Sequence, residues 1–175
     1  MDAKTDAVEL NGGKIIAAIK GAGVEFVLSV PDIHTSHGLL RPIANDPELR
    51  LIRVCKEDEC IGIASGLSYA DKRALILIQY TGFLDSLNAI RAVAVEYKQP
   101  ICMMVGLLGH EPERLPAESG RYGVRIIEPI CDAMGIEHLL VSEDADVGKI
   151  KPAIDKAYKE SLPVAILIGR RPATS

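Results

Sequence analysis

Arg53-Val54-Cys55-Lys56-Glu57-Asp58-Glu59-Cys60-Ile61-Gly62-Ile63-Ala64-Ser65-Gly66 is the stretch that decides the fold. The residues before it, from Leu49 to Val54, have the length and apolar character of a buried strand. Lys56 interrupts that run, and three acids then open a segment with helical spacing to Tyr69. Acids in a first helical turn are favoured by the helix dipole, each by roughly a few tenths of a kcal/mol, which is enough to explain them as a class. The helix body is harder to explain. Gly62, Ala64, Ser65 and Gly66 lie close together, and an interior glycine costs on the order of 1 kcal/mol against alanine. A helix that carries this cost implies close approach of another backbone, a subunit or a ligand.

The same alternation continues on both sides. Apolar runs at Glu25–Val30, Leu49–Val54, Ala74–Gln79, Ile101–Val105, His138–Val141 and Val164–Ile168 are rich in Val, Ile and Leu, as strands buried on both faces of a parallel sheet require. Helical spacing occupies Gly13–Ile19, Glu57–Tyr69, Leu84–Tyr97, Val124–Met134 and Val147–Tyr158. The expected fold is α/β: a doubly wound, mostly parallel six-stranded sheet with helices on both faces. Such sheets gather ligands beyond the carboxyl ends of their strands, here Pro31–Gly38, Lys56–Glu59, Tyr80–Asp85 and Gly106–Gly123. Leu107 to Tyr122 is polar and irregular, with His110, Pro112 and Pro116; long irregular loops within compact domains are often functional.

Bulk properties exclude several classes. The 175 residues suit one domain. A net charge of -4 with scattered Lys and Arg gives no footprint for nucleic acid, and no apolar run reaches the roughly 18 residues of a membrane span. Met1–Glu9 is polar and acidic, unlike a secretion or transit signal, so cytoplasm is the expected location. Cys55, Cys60, Cys102 and Cys131 form no CxxC pair and read as thiols packed like small hydrophobes. No P-loop, GxGxxG or GxSxG motif is present.

Two further segments carry candidate chemistry. In Gln79-Tyr80-Thr81-Gly82-Phe83-Leu84-Asp85-Ser86-Leu87-Asn88-Ala89 a strand ends, Gly82 permits a tight turn and a helix begins. Asp32-Ile33-His34-Thr35-Ser36-His37 has the residue types of a metal triad, but a pocket-facing imidazole that carries protons is the preferred reading, and no metal site is assigned.

Together these segments resemble the pyrimidine-binding domain of thiamine diphosphate enzymes. Glu57 opens a helix whose small-residue run reaches Gly66 nine positions on; Thr81-Gly82 and Asn88-Ala89 follow a later strand; Phe26–Val30 ends in Pro31. The resemblance covers nearly the whole chain. It is strongest to the small alpha subunits of sulfopyruvate decarboxylase and the matching half of phosphonopyruvate decarboxylase, through Glu57-Asp58-Glu59, Gly62, Gly66, Gln79, Gly82, Pro116-Ala117 and Gly120-Arg121. The family's Gly-Asp-Gly/Ser and Asn-Asn signature for diphosphate is missing, as is the adjacent histidine pair of pyruvate decarboxylases after Gly106.

The resemblance implies a single pyrimidine-binding domain over residues 1–175. It implies a separate beta subunit that carries the diphosphate-binding domain and holds Mg²⁺, in a hetero-oligomer. The reaction would be decarboxylation of a 3-substituted 2-oxo acid: sulfopyruvate first, phosphonopyruvate or a similar acid as the alternative. Glu57 would hydrogen-bond the pyrimidine ring of thiamine diphosphate, and burial beneath a partner suits it to hold a proton. Gln79, Gly82 and Asn88 would shape the cofactor pocket, His34 would handle protons near the substrate, and Arg121 and Arg125 would meet its extra anion. A non-catalytic subunit with an assembly or regulatory role, and an unrelated flavodoxin-like binding module, remain open.

Overall fold

A computed structural model describes residues 10–174; the Met1–Glu9 segment lies outside the described residues. Eight strands form in chain order: β1 (Leu10–Asn11), β2 (Phe26–Ser29), β3 (Arg50–Arg53), β4 (Ala74–Gln79), β5 (Cys102–Gly106), β6 (Glu137–Val141), β7 (Val164–Ile168) and β8 (Pro172–Ala173). Six of them make one sheet in the order β3-β2-β4-β5-β7-β6, and every pairing in it is parallel. All six expected apolar runs are therefore strands of one sheet.

Side chains alternate across this sheet, and each face receives its own core. Along β4, Leu75 and Leu77 join a cluster with Ile15, Ile19, Leu39, Ile43, Ile150 and Ile154. Ile76 and Ile78 join another with Cys60, Ile61, Phe83, Ile90, Ile127 and Cys131. The first layer is built by helix α1 (Gly12–Gly21), a π-helical segment Ser36–Leu40 continuing into α2 (Arg41–Ala44), and α8 (Ile150–Glu160). The second is built by α3 (Glu57–Tyr69), α4 (Tyr80–Asp85), α5 (Leu87–Ala89), a π-helical segment Ile90–Glu96, α6 (Tyr122–Arg125) and α7 (Ile127–Met134). Burial raises the thiols of Cys60, Cys102 and Cys131 to about 12, so these act as apolar filler, whereas Cys55 is exposed. No helix among the described residues is long and apolar enough to cross a membrane.

Two details differ from the sequence pattern. Helical spacing alone reads Leu84–Tyr97 as one helix; the chain instead enters α4 at Tyr80, directly after β4, and breaks at Ser86. Gly82 thus lies inside α4 and not in a turn. The second is a two-stranded parallel sheet that pairs Leu10 with Pro172 and Asn11 with Ala173. Beside this seam the backbones touch. A Cβ on Gly12 would lie 2.0 Å from the Gly38 carbonyl oxygen, and one on Gly38 would lie 2.2 Å from that of Pro172. The start of α1, the π-helical segment and β8 are locked together by the absence of two methyl groups.

Replacing Gly38 with alanine forces backbone apart at a site with no flexible side chain to yield. We expect Gly38→Ala to destabilise the fold by about 3 kcal/mol, read as a lowered denaturant midpoint. Gly62→Ala, where an added Cβ meets nothing within 4 Å, is expected to be neutral or stabilising in the isolated chain.

Candidate active site

The three acids that open α3 have different surroundings. Asp58 pairs with Lys56 at 3.1 Å, and Lys56 also reaches Asp85 at 3.4 Å. Glu59 accepts a hydrogen bond from the Cys55 backbone N–H at 3.0 Å, which caps the helix start. Lys56 supplies no side-chain cap of its own. Glu57 is half-buried, and among the described residues no donor reaches its carboxylate. Local structure therefore accounts for Asp58 and Glu59 and leaves Glu57 uncommitted.

The position of Glu57 is set by Gly82. A Cβ at Gly82 would lie 2.3 Å from Glu57 Cγ and 2.6 Å from Oε1. The carboxylate stem thus lies on the bare backbone of α4, one strand's width across the carboxyl edge of the sheet. β3 delivers Glu57, β4 delivers Gly82, and β2 runs between them. This is where the chain order reverses, the crevice in which doubly wound sheets bind ligands. Within it, Ser29 donates its hydroxyl to the Leu77 carbonyl at 2.7 Å and stitches β2 to β4.

The other expected site residues are distributed around this pair. Gln79 precedes α4, and its side-chain oxygen accepts from the Thr81 hydroxyl at 2.9 Å. Asn88 is exposed, with its side-chain oxygen taken up by Arg91 at 3.0 Å. Nothing brings it to the Glu57–Gly82 contact. Arg121 lies against Gly109, and Arg125 donates to the Ser119 carbonyl at 2.9 Å with its guanidinium 5.4 Å from the Tyr122 ring centre. Both arginines sit on the α3 side of the sheet, where a Cβ on Gly123 would lie 2.4 Å from Tyr80.

His34 is buried at the same edge. Its Nε2 lies 3.1 Å from the Ile168 carbonyl and its ring edge lies over Gly106, while Asp32 Oδ1 accepts from the His34 N–H at 2.6 Å. Burial holds this imidazole below its ordinary value of 6.5, opposed in part by the Ile168 carbonyl and Asp32.

Sequence reading places His110 in the irregular stretch after β5 and gives it no role. It is buried, with Nδ1 2.8 Å from the Gly169 carbonyl and Nε2 3.0 Å from that of Arg114. Glu111 reinforces it by accepting from the Ser119 hydroxyl at 2.6 Å, which draws the Glu111 carboxyl below its usual range. The irregular stretch after β5 is thereby pinned to the end of β7. The only sequence signal was a histidine amid prolines and acids. Among the described residues no group of three His, Cys, Asp or Glu side chains is placed to hold a metal.

Two tests follow from this geometry. Gly82→Ala must push the Glu57 side chain aside while leaving the buried sheet untouched, so we expect at least a tenfold loss of any Glu57-dependent activity with far-UV circular dichroism unchanged. For His34, the unfolded chain takes up the proton before the folded one does. Its contribution to stability is therefore complete above 6.5 and falls as pH drops below that value. Urea unfolding at pH 7.5 and 5.5 should show a smaller decline in His34→Gln than in the wild type.

No family model matches the chain. The sulfopyruvate decarboxylase subunit alpha of Methanocaldococcus jannaschii is 31% identical over 156 residues, which span 87% of this chain and 89% of that one. The subunit alpha of Methanococcus maripaludis is 28% identical over 157 residues, 88% and 91% of the two chains. Among solved structures, the 2-oxoglutarate:ferredoxin oxidoreductase of Magnetococcus marinus superposes with a TM-score of 0.70 at 17% identity, over 92% of this chain and 31% of that one. This last likeness bears on the fold alone.

Proposed function

Because the chain belongs to the family of sulfopyruvate decarboxylase alpha subunits, we propose that it is the pyrimidine-binding subunit of a thiamine diphosphate-dependent decarboxylase acting on sulfopyruvate. The reaction releases CO₂ and gives sulfoacetaldehyde, with one proton added at carbon. The observation that carries this reading is the uncommitted Glu57 carboxylate lying on the bare backbone of Gly82. No donor of the described residues engages this half-exposed carboxylate, so it is free to meet a ligand, and a heteroaromatic ring nitrogen is a fitting counterpart.

The residues suit the cofactor. Glu57 would hydrogen-bond a pyrimidine ring nitrogen, and the missing side chain at Gly82 leaves room for the Glu57 stem that reaches it. Gln79 and Thr81, hydrogen-bonded to each other at the start of α4, would shape the wall. When bound, thiamine diphosphate supplies the electron sink for loss of the carboxylate. This chain's own work is to orient the ring through Glu57, exclude water and keep the proton at the carboxyl oxygen.

A partner subunit enters this reading for two reasons. The relatives are named as alpha subunits, which implies a partner chain, and the diphosphate and its Mg²⁺ are assigned to that partner. The Gly62 and Gly66 backbones of α3 are exposed with open space at both, which suits close approach of a second chain along this helix.

The test is co-expression with a partner that carries the diphosphate-binding domain, followed by measurement of CO₂ from sulfopyruvate. Glu57→Gln is expected to reduce turnover by about 100-fold or more with the complex intact. Glu59→Ala, which removes the cap on Cys55, should keep turnover within about threefold and lower stability by about 1 kcal/mol. Full turnover in Glu57→Gln would remove the catalytic reading and favour a non-catalytic assembly subunit.

A further inference from the structure

On the α1 side of the sheet, a cavity of about 500 Å³ opens beyond the end of β2, lined by Asp32, Ser36, His37, Arg41 and Arg171 among others. A second opening of similar size shares Pro31, Ser36 and Arg41 with it and adds Arg53. Three arginines and a histidine thus converge on one region. Among the described residues none of these four enters an ion pair.

The one carboxylate in the lining is occupied. Asp32 Oδ1 accepts from the His34 and Thr35 backbone N–H groups at 2.6 and 2.8 Å, and Oδ2 accepts from the Thr35 hydroxyl. It serves as a loop cap and is poorly placed to neutralise the arginines. Ser36 adds a hydroxyl for which no hydrogen-bond partner is found among the described residues. The lining groups come from three different segments: the turn after β2, the π-helical segment with α2, and the link from β7 to β8.

These positive charges are brought together by rigid backbone. The Gly12–Gly38–Pro172 contacts fix β8 against the π-helical segment, so Arg171 is anchored by the residue that follows it. Like charges gathered this way repel one another unless an anion lies between them. π-helical turns are rare and concentrate at functional sites, and here the i→i+5 bonds Leu40 N–H to Thr35 and Arg41 N–H to Ser36 set the turn that presents Arg41.

We infer that this cavity is the subsite for the sulfonate group of the substrate, with Arg41 and Arg171 as its two cationic walls and Ser36 as a neutral donor. The inference rests on the decarboxylase reading and deepens it. A sulfonate carries a permanent charge on three equivalent oxygens arranged tetrahedrally. Donors converging from three segments match that shape better than the two coplanar oxygens of a carboxylate. The cavity begins at Pro31 and Asp32, just past β2, the strand flanked by those that deliver Glu57 and Gly82. Arg121 and Arg125 lie on the other side of the sheet, and Arg125 is held by Ser119 and Tyr122.

Thermal unfolding of the full chain alone tests the site without any activity. The probes are 3-sulfopropanoate, succinate and inorganic sulfate. 3-Sulfopropanoate should raise the wild-type midpoint more than succinate does, and the shift should vanish in Arg41→Gln and Arg171→Gln. Both side chains are exposed, so the variants fold. In the reconstituted complex each variant should raise KM for sulfopyruvate at least tenfold with kcat within threefold, and the lysine variants should recover part of the loss.

The outcomes separate the two claims. A complex that decarboxylates sulfopyruvate with unchanged KM in both glutamine variants overturns the subsite and leaves the reaction standing. A complex inert to sulfopyruvate, with 3-sulfopropanoate still held by Arg41 and Arg171, removes the reaction and retains a sulfonate site. Equal stabilisation by inorganic sulfate and 3-sulfopropanoate, with unchanged KM, identifies a free-anion site and overturns the assignment to substrate.

Discussion

The parallel sheet must hide both of its faces, and everything else in the molecule follows from meeting that demand. The first five residues of β4 and all of β5 and β7 are buried, so no polar chemistry can be carried on the body of these central strands. The polar groups of the candidate site gather at the carboxyl edge, where strands give way to helices. There the edge strand β3 hands over to Glu57, β4 to Gln79 and Gly82, β2 to Asp32 and His34, and β7 to Arg171. Distant parts of the sequence become neighbours at that edge because the strand order reverses around β2.

Much of this was legible in the sequence, for reasons tied to particular residues. Ala74–Gln79 carries an unbroken apolar run that only a doubly covered strand explains, and it is β4 with those same limits. Glu57–Tyr69 is α3, likewise unchanged. What the sequence could not reveal is how three adjacent acids divide their work. That depends on where Lys56 and the Cys55 N–H lie in space, and only the folded chain shows that they engage Asp58 and Glu59. Periodicity also fails where packing is by backbone. Gly12 and Gly38 contribute no side chain to a pattern, yet they determine how closely α1, the π-helical segment and β8 approach. The two-residue strands β1 and β8 are too short to leave a signal. Asn88 matched a spacing, but its neighbour Arg91 turns its amide outward.

The two sides of the carboxyl edge present different groups. The α3 side holds the half-buried Glu57 carboxylate against Gly82, with Arg121 and Arg125 elsewhere on the same side. The α1 side presents guanidinium groups with no carboxylate partner among the described residues. In the proposed reading, a 2-oxo acid bearing a second anion at its far end would bring its reacting carbon toward Glu57 and its tail among the cations. The same division explains why substitutions on the two sides should separate rate from affinity.

The seam between β1 and β8 joins residues 162 positions apart, the longest span of any strand pairing here. Contacts of such high sequence separation bear the largest loop-closure entropy, so they form late in folding and are sensitive to anything that lengthens or loosens the chain. Arg171 immediately precedes that seam. A chain with its six-stranded sheet complete but its ends not yet paired would already hold Glu57 on Gly82 while lacking one wall of the cationic cavity. The Glu57–Gly82 contact and the cationic cavity would thus mature at different moments, and the second would be the first to be lost when the ends fray.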